Sequence, residues 1–183
     1  MKQVVIVSFS GHGHTERVAA TVAEAAQADR LIIDDEGRLP SGGWQRLSLA
    51  TLIGFAAPTY MGGPAWQFKR FADDSSQVWF AQGWKDKLAA GITCSASMNG
   101  DKDMTLHYFM TLAMQHGMWW VGGGELPAND KQAARNDINY VGTFAGLAAV
   151  APSDAAPDEM APGDLVTARL FGERLAAVAA ARG

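Results

Sequence analysis

The chain has 183 residues, of which 48% are hydrophobic, and this size and composition suit one domain spanning residues 1–183 with a full-sized core. Its net charge is -4 and it contains no run of basic residues, which argues against nucleic acid or an anionic membrane as a partner. The single cysteine excludes an internal disulfide, and neither a leader pattern nor a long apolar stretch is apparent, so we expect a cytoplasmic protein without a membrane-spanning segment.

Short apolar runs alternate with helical patterns along the chain, which predicts a doubly wound α/β domain built on a parallel sheet. The predicted strands are Gln3–Ser8, Arg30–Ile33, Thr51–Ala57, Ala89–Cys94 and Met118–Gly122. The predicted helices are Thr15–Ala28, Trp44–Ser48, Pro64–Ser75, Met104–His116 and Gly163–Ala181, with irregular connections at Gly122–Asp137 and Val150–Gly163. Ligands of such sheets bind at the carboxyl ends of the strands, so we expect the loops after the first, third and fourth strands to converge.

The loop after the first strand has the composition of a phosphate-binding loop. The β-branched run Val4–Val7 leads into this loop, and a helical pattern follows at once. Backbone amides of such a loop converge at the positive end of the helix dipole, where phosphate binds. The loop contains neither Gly-Lys-Ser/Thr nor Gly-x-Gly-x-x-Gly, so it is predicted to hold a terminal phosphate with amides and hydroxyls rather than with a lysine. The candidate residues are Ser10, Gly11, His12, Gly13, His14 and Thr15.

The loop after the third predicted strand is suited to a flat ligand. Its glycines permit a close approach of the backbone, and Tyr60 or Met61 is suited to lie against a ring. The alternative is a tight turn in which Tyr60 covers the edge of the sheet. The candidate residues are Pro58, Thr59, Tyr60, Met61 and Gly62.

The loop after the fourth predicted strand combines small side chains with hydroxyl and amide groups. Such groups are suited to hydrogen-bond the rim of a heterocycle. The alternative is an ordinary turn before a helix, with Asp101 or Asp103 as the capping residue. The candidate residues are Ser95, Ala96, Ser97, Met98 and Asn99.

Taken together and in this order, these segments resemble the flavodoxin-like NAD(P)H:quinone oxidoreductases of the WrbA type. The resemblance runs nearly end to end and rests on Ser10-x-x-Gly13-x-Thr15, Pro58–Gly63, Ser95–Gly100 and His116-Gly117-Met118. It implies a flavodoxin-like, doubly wound, five-stranded parallel sheet of order 2-1-3-4-5 with helices on both faces, bound FMN, and a homo-oligomer (dimer or tetramer). By the same resemblance the first loop holds the FMN phosphate, the second contacts the isoalloxazine, and the third lines the ribityl and ring side.

The chain departs from the family pattern near the expected ring position. Tyr60 and Met61 stand where the family often has Arg and Phe, so a cation near the flavin is missing. The family's His-His-Gly is replaced by Gln115-His116-Gly, so the resemblance implies that either Gln115 or His116 reaches the flavin. Trp79 matches a family tryptophan on the substrate side of the flavin, and packing in the core is the alternative for it.

Three further side chains invite other chemistry. His12 and His14 are either donors to the phosphate or exposed imidazoles, and no further ligands accompany them, so no metal site is predicted. No base is apparent beside Cys94, which we expect to be a buried, inert thiol.

These expectations combine into an FMN-dependent oxidoreductase that takes hydride from NADH or NADPH and passes two electrons to a quinone-like acceptor by a ping-pong mechanism. The flavin carries the chemistry, and no side chain is predicted to be a catalytic nucleophile. Two alternatives stay open: a flavodoxin-type electron carrier, and a flavodoxin-fold regulatory protein with weak flavin binding. Carriers usually display a strongly acidic docking face, and the mild net charge of -4 argues against one here.

Overall fold

A parallel sheet with helices on both faces forms the centre of the molecule, in a computed structural model that describes residues 3–182. The strands are β1 (Val4–Ser8), β2 (Asp29–Ile32), β3 (Leu52–Ala56), β4 (Thr59–Tyr60), β5 (Gly63–Pro64), β6 (Leu88–Ser95), β7 (Trp119–Trp120) and β8 (Leu147–Val150). The helices are α1 (His14–Ala25), α2 (Gly43–Leu49), α3 (Trp66–Asp74), α4 (Ser76–Phe80), α5 (Lys102–Gln115) and α6 (Pro162–Arg182), with a 3-10 turn at Pro157–Glu159. The sheet runs β2-β1-β3-β6, and both β7 and β8 pair with β6. This arrangement confirms the predicted fold class and strand order.

The fifth position of the sheet is shared by two short strands, where the sequence predicts the single strand Met118–Gly122. Residues of β7 pair with Leu88 and Ala89 at the start of β6, and β8 pairs with Ile92–Ser95 at its end. Between β7 and β8 the chain leaves the sheet for residues 121–146. The glycines after β7 lack the side chains that fill a sheet face, so the strand stops there and the edge is completed by a later segment.

The core has two halves, one on each face of the sheet. The side chains of β1 and β3 are all buried, as expected for apolar strands covered on both sides. Helices α1 and α6 cover one face, and helices α2, α3 and α5 cover the other. A Cβ at Gly172 of α6 would lie 2.4 Å from the Val22 carbonyl oxygen of α1, so this glycine permits the close contact of the two helices. Among residues 3–182, no helix has the length and mean hydropathy that crossing a membrane requires.

Two segments predicted as loops are regular. The chain after β3 forms a tight hairpin from β4 and β5, with Met61 (φ 49°) and Gly62 (φ 78°) in left-handed conformations at its turn. Trp79, predicted to lie on a loop, belongs to the short helix α4. Both elements are too short to show a period in the sequence, which is why the pattern missed them.

Candidate functional site

Four loops meet in a cavity of about 190 Å³ at the carboxyl edge of the sheet. They follow β1, β3, β6 and β8, as a doubly wound sheet requires of a ligand site. The lining residues are Ser10, His12, His14, Thr15, Pro58, Tyr60, Cys94, Ser95, Ala96, Ala151 and Ser153. The structure therefore brings together part of each of the three predicted loops, and it adds a fourth loop that sequence reasoning missed.

The first loop presents unpaired backbone donors at the start of α1. Gly13 is the N-cap residue, with φ 85°, and no side chain caps the helix. Within residues 3–182, the amides of His12, Gly13, His14 and Thr15 donate to no backbone carbonyl. The acidic residue of the first turn, Glu16, does not serve them, because its carboxylate accepts a hydrogen bond from the Ser8 hydroxyl (2.7 Å) and pairs with Arg30. These amides are available to an anion at the positive end of the helix dipole.

The segment after β8, which is predicted only as an irregular connection, packs against this first loop. The Nε2 atom of His14 lies 2.7 Å from the Ala155 carbonyl oxygen, at hydrogen-bond distance. A Cβ at Gly13 would lie 2.8 Å from Cγ of Pro157, so a side chain here requires the two segments to move apart. Ala151 and Ser153 reach the cavity from the same segment. The sequence signal for this segment is the short apolar run Leu147–Val150, which forms the strand β8 that precedes it.

Only some of the residues predicted in the second loop line the cavity. Tyr60 lines the cavity, where its hydroxyl interacts with the Gly11 amide and burial raises its pKa. Met61 is fully exposed at the hairpin turn and does not line the cavity. The Thr59 hydroxyl is buried in hydrogen bonds with the hydroxyls of Thr93 (2.8 Å) and Thr105 (2.7 Å), so it serves the fold rather than the cavity.

The third loop reaches the cavity only through Ser95 and Ala96. The carbonyl oxygens of the next three residues turn away to the Nζ atom of Lys102, at 2.6 Å (Ser97), 3.1 Å (Met98) and 3.3 Å (Asn99). Met98 and Asn99 line a second cavity, of about 320 Å³, together with Lys102, Asp103 and residues 141–143. Lys102 was absent from the predicted residues, because a lysine at a helix start looks like a solvent-exposed residue in the sequence.

The residues implied by the family's histidine motif and tryptophan lie elsewhere in this chain. Gln115, His116 and Trp79 line a third cavity, of about 260 Å³, between α3–α4 and α5. His116 is buried against Trp84, its Nε2 atom lies 2.9 Å from the Ser75 hydroxyl, and burial lowers its pKa. None of these three lines the first cavity. That Gln115 or His116 reaches the flavin, and that Trp79 lies on its substrate side, stay predictions.

The thiol of Cys94 borders the first cavity but is 3% exposed. Desolvation raises its pKa to about 12, so it is protonated at neutral pH. Cys94 is buried, as predicted, and a protonated thiol is a poor nucleophile.

Comparison with known proteins adds a family to this geometry. No family model matches the chain. It is 48% identical over 178 residues to a Pseudomonas aeruginosa (strain UCBPP-PA14) protein described as Flavodoxin FldP, with 97% of each chain covered. The crystal structure of a flavodoxin, WrbA-like protein from Agrobacterium tumefaciens matches with a TM-score of 0.81 and 44% identity, covering all of both chains. The chain belongs to the flavodoxin-like family of the WrbA type. A more distant relative, from Trichlorobacter lovleyi, is described as NAD(P)H dehydrogenase (quinone) and is 25% identical over 206 residues, with 98% of each chain covered.

Proposed function

We propose that this protein binds FMN in the first cavity and works as an electron-transfer flavoprotein. The observation that carries the proposal is the run of unpaired amides at residues 12–15, which opens into the cavity at the start of α1. The phosphate of FMN is a dianion that fits this donor set, with the hydroxyls of Ser10 and Thr15 beside it.

The other loops supply the remaining wall of the proposed site. Tyr60, Ser95 and Ala96 would border the isoalloxazine and ribityl groups, and Ser153 would stand beside the first loop. FMN, when bound, supplies the one- and two-electron chemistry, which no side chain of the cavity needs to perform.

The charge around the cavity favours a flavodoxin-type carrier over an enzyme with its own small-molecule substrate. The loops at the carboxyl edge of the sheet display exposed carboxylates after β2, β6 and β8. They are Asp34, Asp35, Glu36, Asp101, Asp103, Asp154, Asp158 and Glu159. A net charge of -4 is mild for the whole chain, but at this edge the exposed carboxylates outnumber the exposed cations Arg17 and Arg38, so the edge would attract a basic redox partner.

A second candidate is the predicted NAD(P)H-dependent reduction of a quinone-like acceptor. It is favoured by the full-length relatives described as NAD(P)H dehydrogenase (quinone), at 25% and 28% identity. It needs a planar slot above the flavin, and within one chain Trp79 lies on a different cavity. A second copy of the chain would have to complete that slot.

Anaerobic mixing of the FMN-loaded protein with NADH and NADPH in turn separates the two candidates. A carrier stays oxidised with the nicotinamide alone and is reduced only when a flavoprotein reductase is added. An enzyme is bleached within seconds by the nicotinamide and recovers its colour with a quinone, and this result would replace the carrier proposal. Absence of FMN binding to the folded protein would remove both.

The acidic edge has a test of its own. Asp154→Lys reverses an exposed charge beside the cavity, and Glu24→Lys reverses an exposed charge near the far end of α1. We expect the first variant to be reduced several-fold more slowly by the reductase at low salt, with the difference vanishing at high salt, and the second to behave as wild type. Equal rates for all three proteins would contradict docking at this edge.

A further inference from the structure

Lys102 is the most deeply buried cation among the described residues, and it does not line the first cavity. It begins α5, is 2% exposed, and forms no salt bridge within residues 3–182. Its Nζ atom donates instead to the carbonyl oxygens of Ser97, Met98 and Asn99. An ammonium group has three donor hydrogens, and three consecutive carbonyls receive them here.

The direction of these carbonyls fixes the direction of the neighbouring amides. In a trans peptide the N–H points opposite to the C=O of the same unit, so the amides of Met98, Asn99 and Gly100 point away from the ammonium. Among the described residues, these three amides donate to no backbone carbonyl. The carbonyl oxygens of this loop therefore face the buried ammonium, and the amides of the same peptide units face away from it.

The same loop is folded back tightly against the cavity wall. Gly100 and Asp101 both have positive φ, at 56° and 52°. A Cβ at Gly100 would lie 2.1 Å from the Ser95 hydroxyl oxygen and 3.2 Å from Nζ of Lys102. Ser95 lines the first cavity, so the ammonium and the cavity wall are separated by a single glycine.

We propose that Lys102 is a positioning residue for flavin binding, whose ammonium holds the carbonyls of residues 97–99 and thereby fixes the loop that carries Ser95 and Ala96, the two residues of this loop that line the first cavity. The proposal rests on FMN binding in the first cavity. A cavity wall that is fixed in place before binding raises affinity by lowering the entropy lost on binding. In this chain the buried ammonium of Lys102 fixes the Ser95–Gly100 loop, which has few glycines.

Lys87 offers a matched control. Its Nζ atom also donates to backbone carbonyls, those of Ser48 (2.8 Å) and Ala50 (2.5 Å), and burial lowers the pKa of both lysines. It precedes β6, however, and so lies at the amino edge of the sheet, opposite to the cavity. Lys87→Met and Lys102→Met therefore remove the same kind of interaction at the two ends of one strand.

The experiment measures FMN and riboflavin dissociation constants by flavin fluorescence quenching on the full chain, together with the melting temperature of each apoprotein. We expect Lys102→Met to weaken the binding of both flavins tenfold or more, because Ser95 and Ala96 are proposed to border the isoalloxazine and ribityl groups, which FMN and riboflavin share. Lys87→Met should lower the melting temperature by a similar amount and leave both dissociation constants within twofold of wild type. Lys102→Arg keeps the charge and the donors, and should recover most of the lost affinity.

A folded Lys102→Met protein that binds both flavins as wild type does would overturn the proposal while leaving FMN binding intact. A loss shared equally by Lys87→Met would also overturn it, since general loosening would then be the cause. If Lys102→Met does not fold, Lys102→Arg decides the question against Lys102→Gln, which keeps hydrogen-bond donors but lacks the charge. Equal affinities of these two variants would contradict a role for the ammonium. Failure of the wild-type protein to bind FMN would overturn the proposed function and this inference with it.

Discussion

Replacing Gly13 by aspartate places a negative charge at the point where the first loop is expected to meet phosphate. Gly13 caps α1 at φ 85°, a conformation that aspartate tolerates better than most residues. Aspartate is also a favourable helix N-cap, so we expect the apoprotein to fold. The new Cβ would lie 2.8 Å from Cγ of Pro157, so the segment after β8 must shift to admit the side chain.

The cost to FMN binding follows from the charges. A unit charge about 4 Å from another unit charge repels it by about 4 kcal/mol at an effective dielectric constant of about 20. That energy corresponds to about a thousandfold loss of affinity, and the second charge of the phosphate increases it. Riboflavin lacks the phosphate, so the Gly13→Asp variant should bind it within a few-fold of wild type.

Gly42→Asp is the matched control for this variant. Gly42 also caps a helix without a side-chain bond, at φ 75°, and an added Cβ there meets nothing within 4 Å. We expect Gly42→Asp to bind both flavins as wild type does. Fluorescence titration of the three proteins with FMN and riboflavin gives the ratio directly. If Gly13→Asp bound FMN within tenfold of wild type, or lost riboflavin as severely as FMN, the phosphate would not lie at this loop.

Three further predictions concern stability and the third cavity. Trp84→Ala should cost about 3–5 kcal/mol of unfolding free energy, because Trp84 is 1% exposed. Trp79 is 40% exposed, so Trp79→Ala should cost far less and leave the FMN affinity unchanged. Urea unfolding and FMN titration measure the two effects, and a large loss of FMN affinity in Trp79→Ala would return Trp79 to the site. Arg135→Gln should cost about 3 kcal/mol of unfolding free energy, because it leaves the 4% exposed carboxylate of Asp164 without its cation. Arg169→Gln breaks an exposed pair and should cost less than about 1 kcal/mol. Equal costs of the two variants in urea unfolding would contradict the buried salt bridge. Burial lowers the pKa of His116 in the folded state, so the unfolded state takes up the proton at a higher pH and stability should fall as the pH drops below about 6.5. His116→Gln should reduce this loss of stability in melting curves. An unchanged pH profile of the melting temperature would refute the role of His116.

The position of the charges on the surface cannot be read from their sum over the sequence. The net charge of -4 by itself predicts a mildly acidic surface. The carboxylates of 34–36, 101–103 and 154–159 are far apart in sequence, but each segment follows a parallel strand, so all of them emerge at the same edge. The sheet topology, and not the composition, produces the acidic surface.

The sequence by itself determined the elements whose cause is local. The run Val4–Val7, the glycine-broken loop and the apolar face of α1 are neighbours in the chain, so their spacing alone predicted a strand, a free helix start and an anion site. The alternation of strands and helices likewise predicted the doubly wound sheet, because connections between parallel strands leave few other topologies.

Only the tertiary structure decided the contacts between residues that are distant in the chain. The sheet edge is completed by β8 after an excursion over residues 121–146, and this brings Ser153 to the first loop. The short helix α4 turns Trp79 toward His116 on a separate cavity. Lys102 is buried because three carbonyls surround its ammonium, a condition that no local pattern records. Burial and pairing depend on what the rest of the fold places around a residue, so they are properties of the packed molecule rather than of any segment of its sequence.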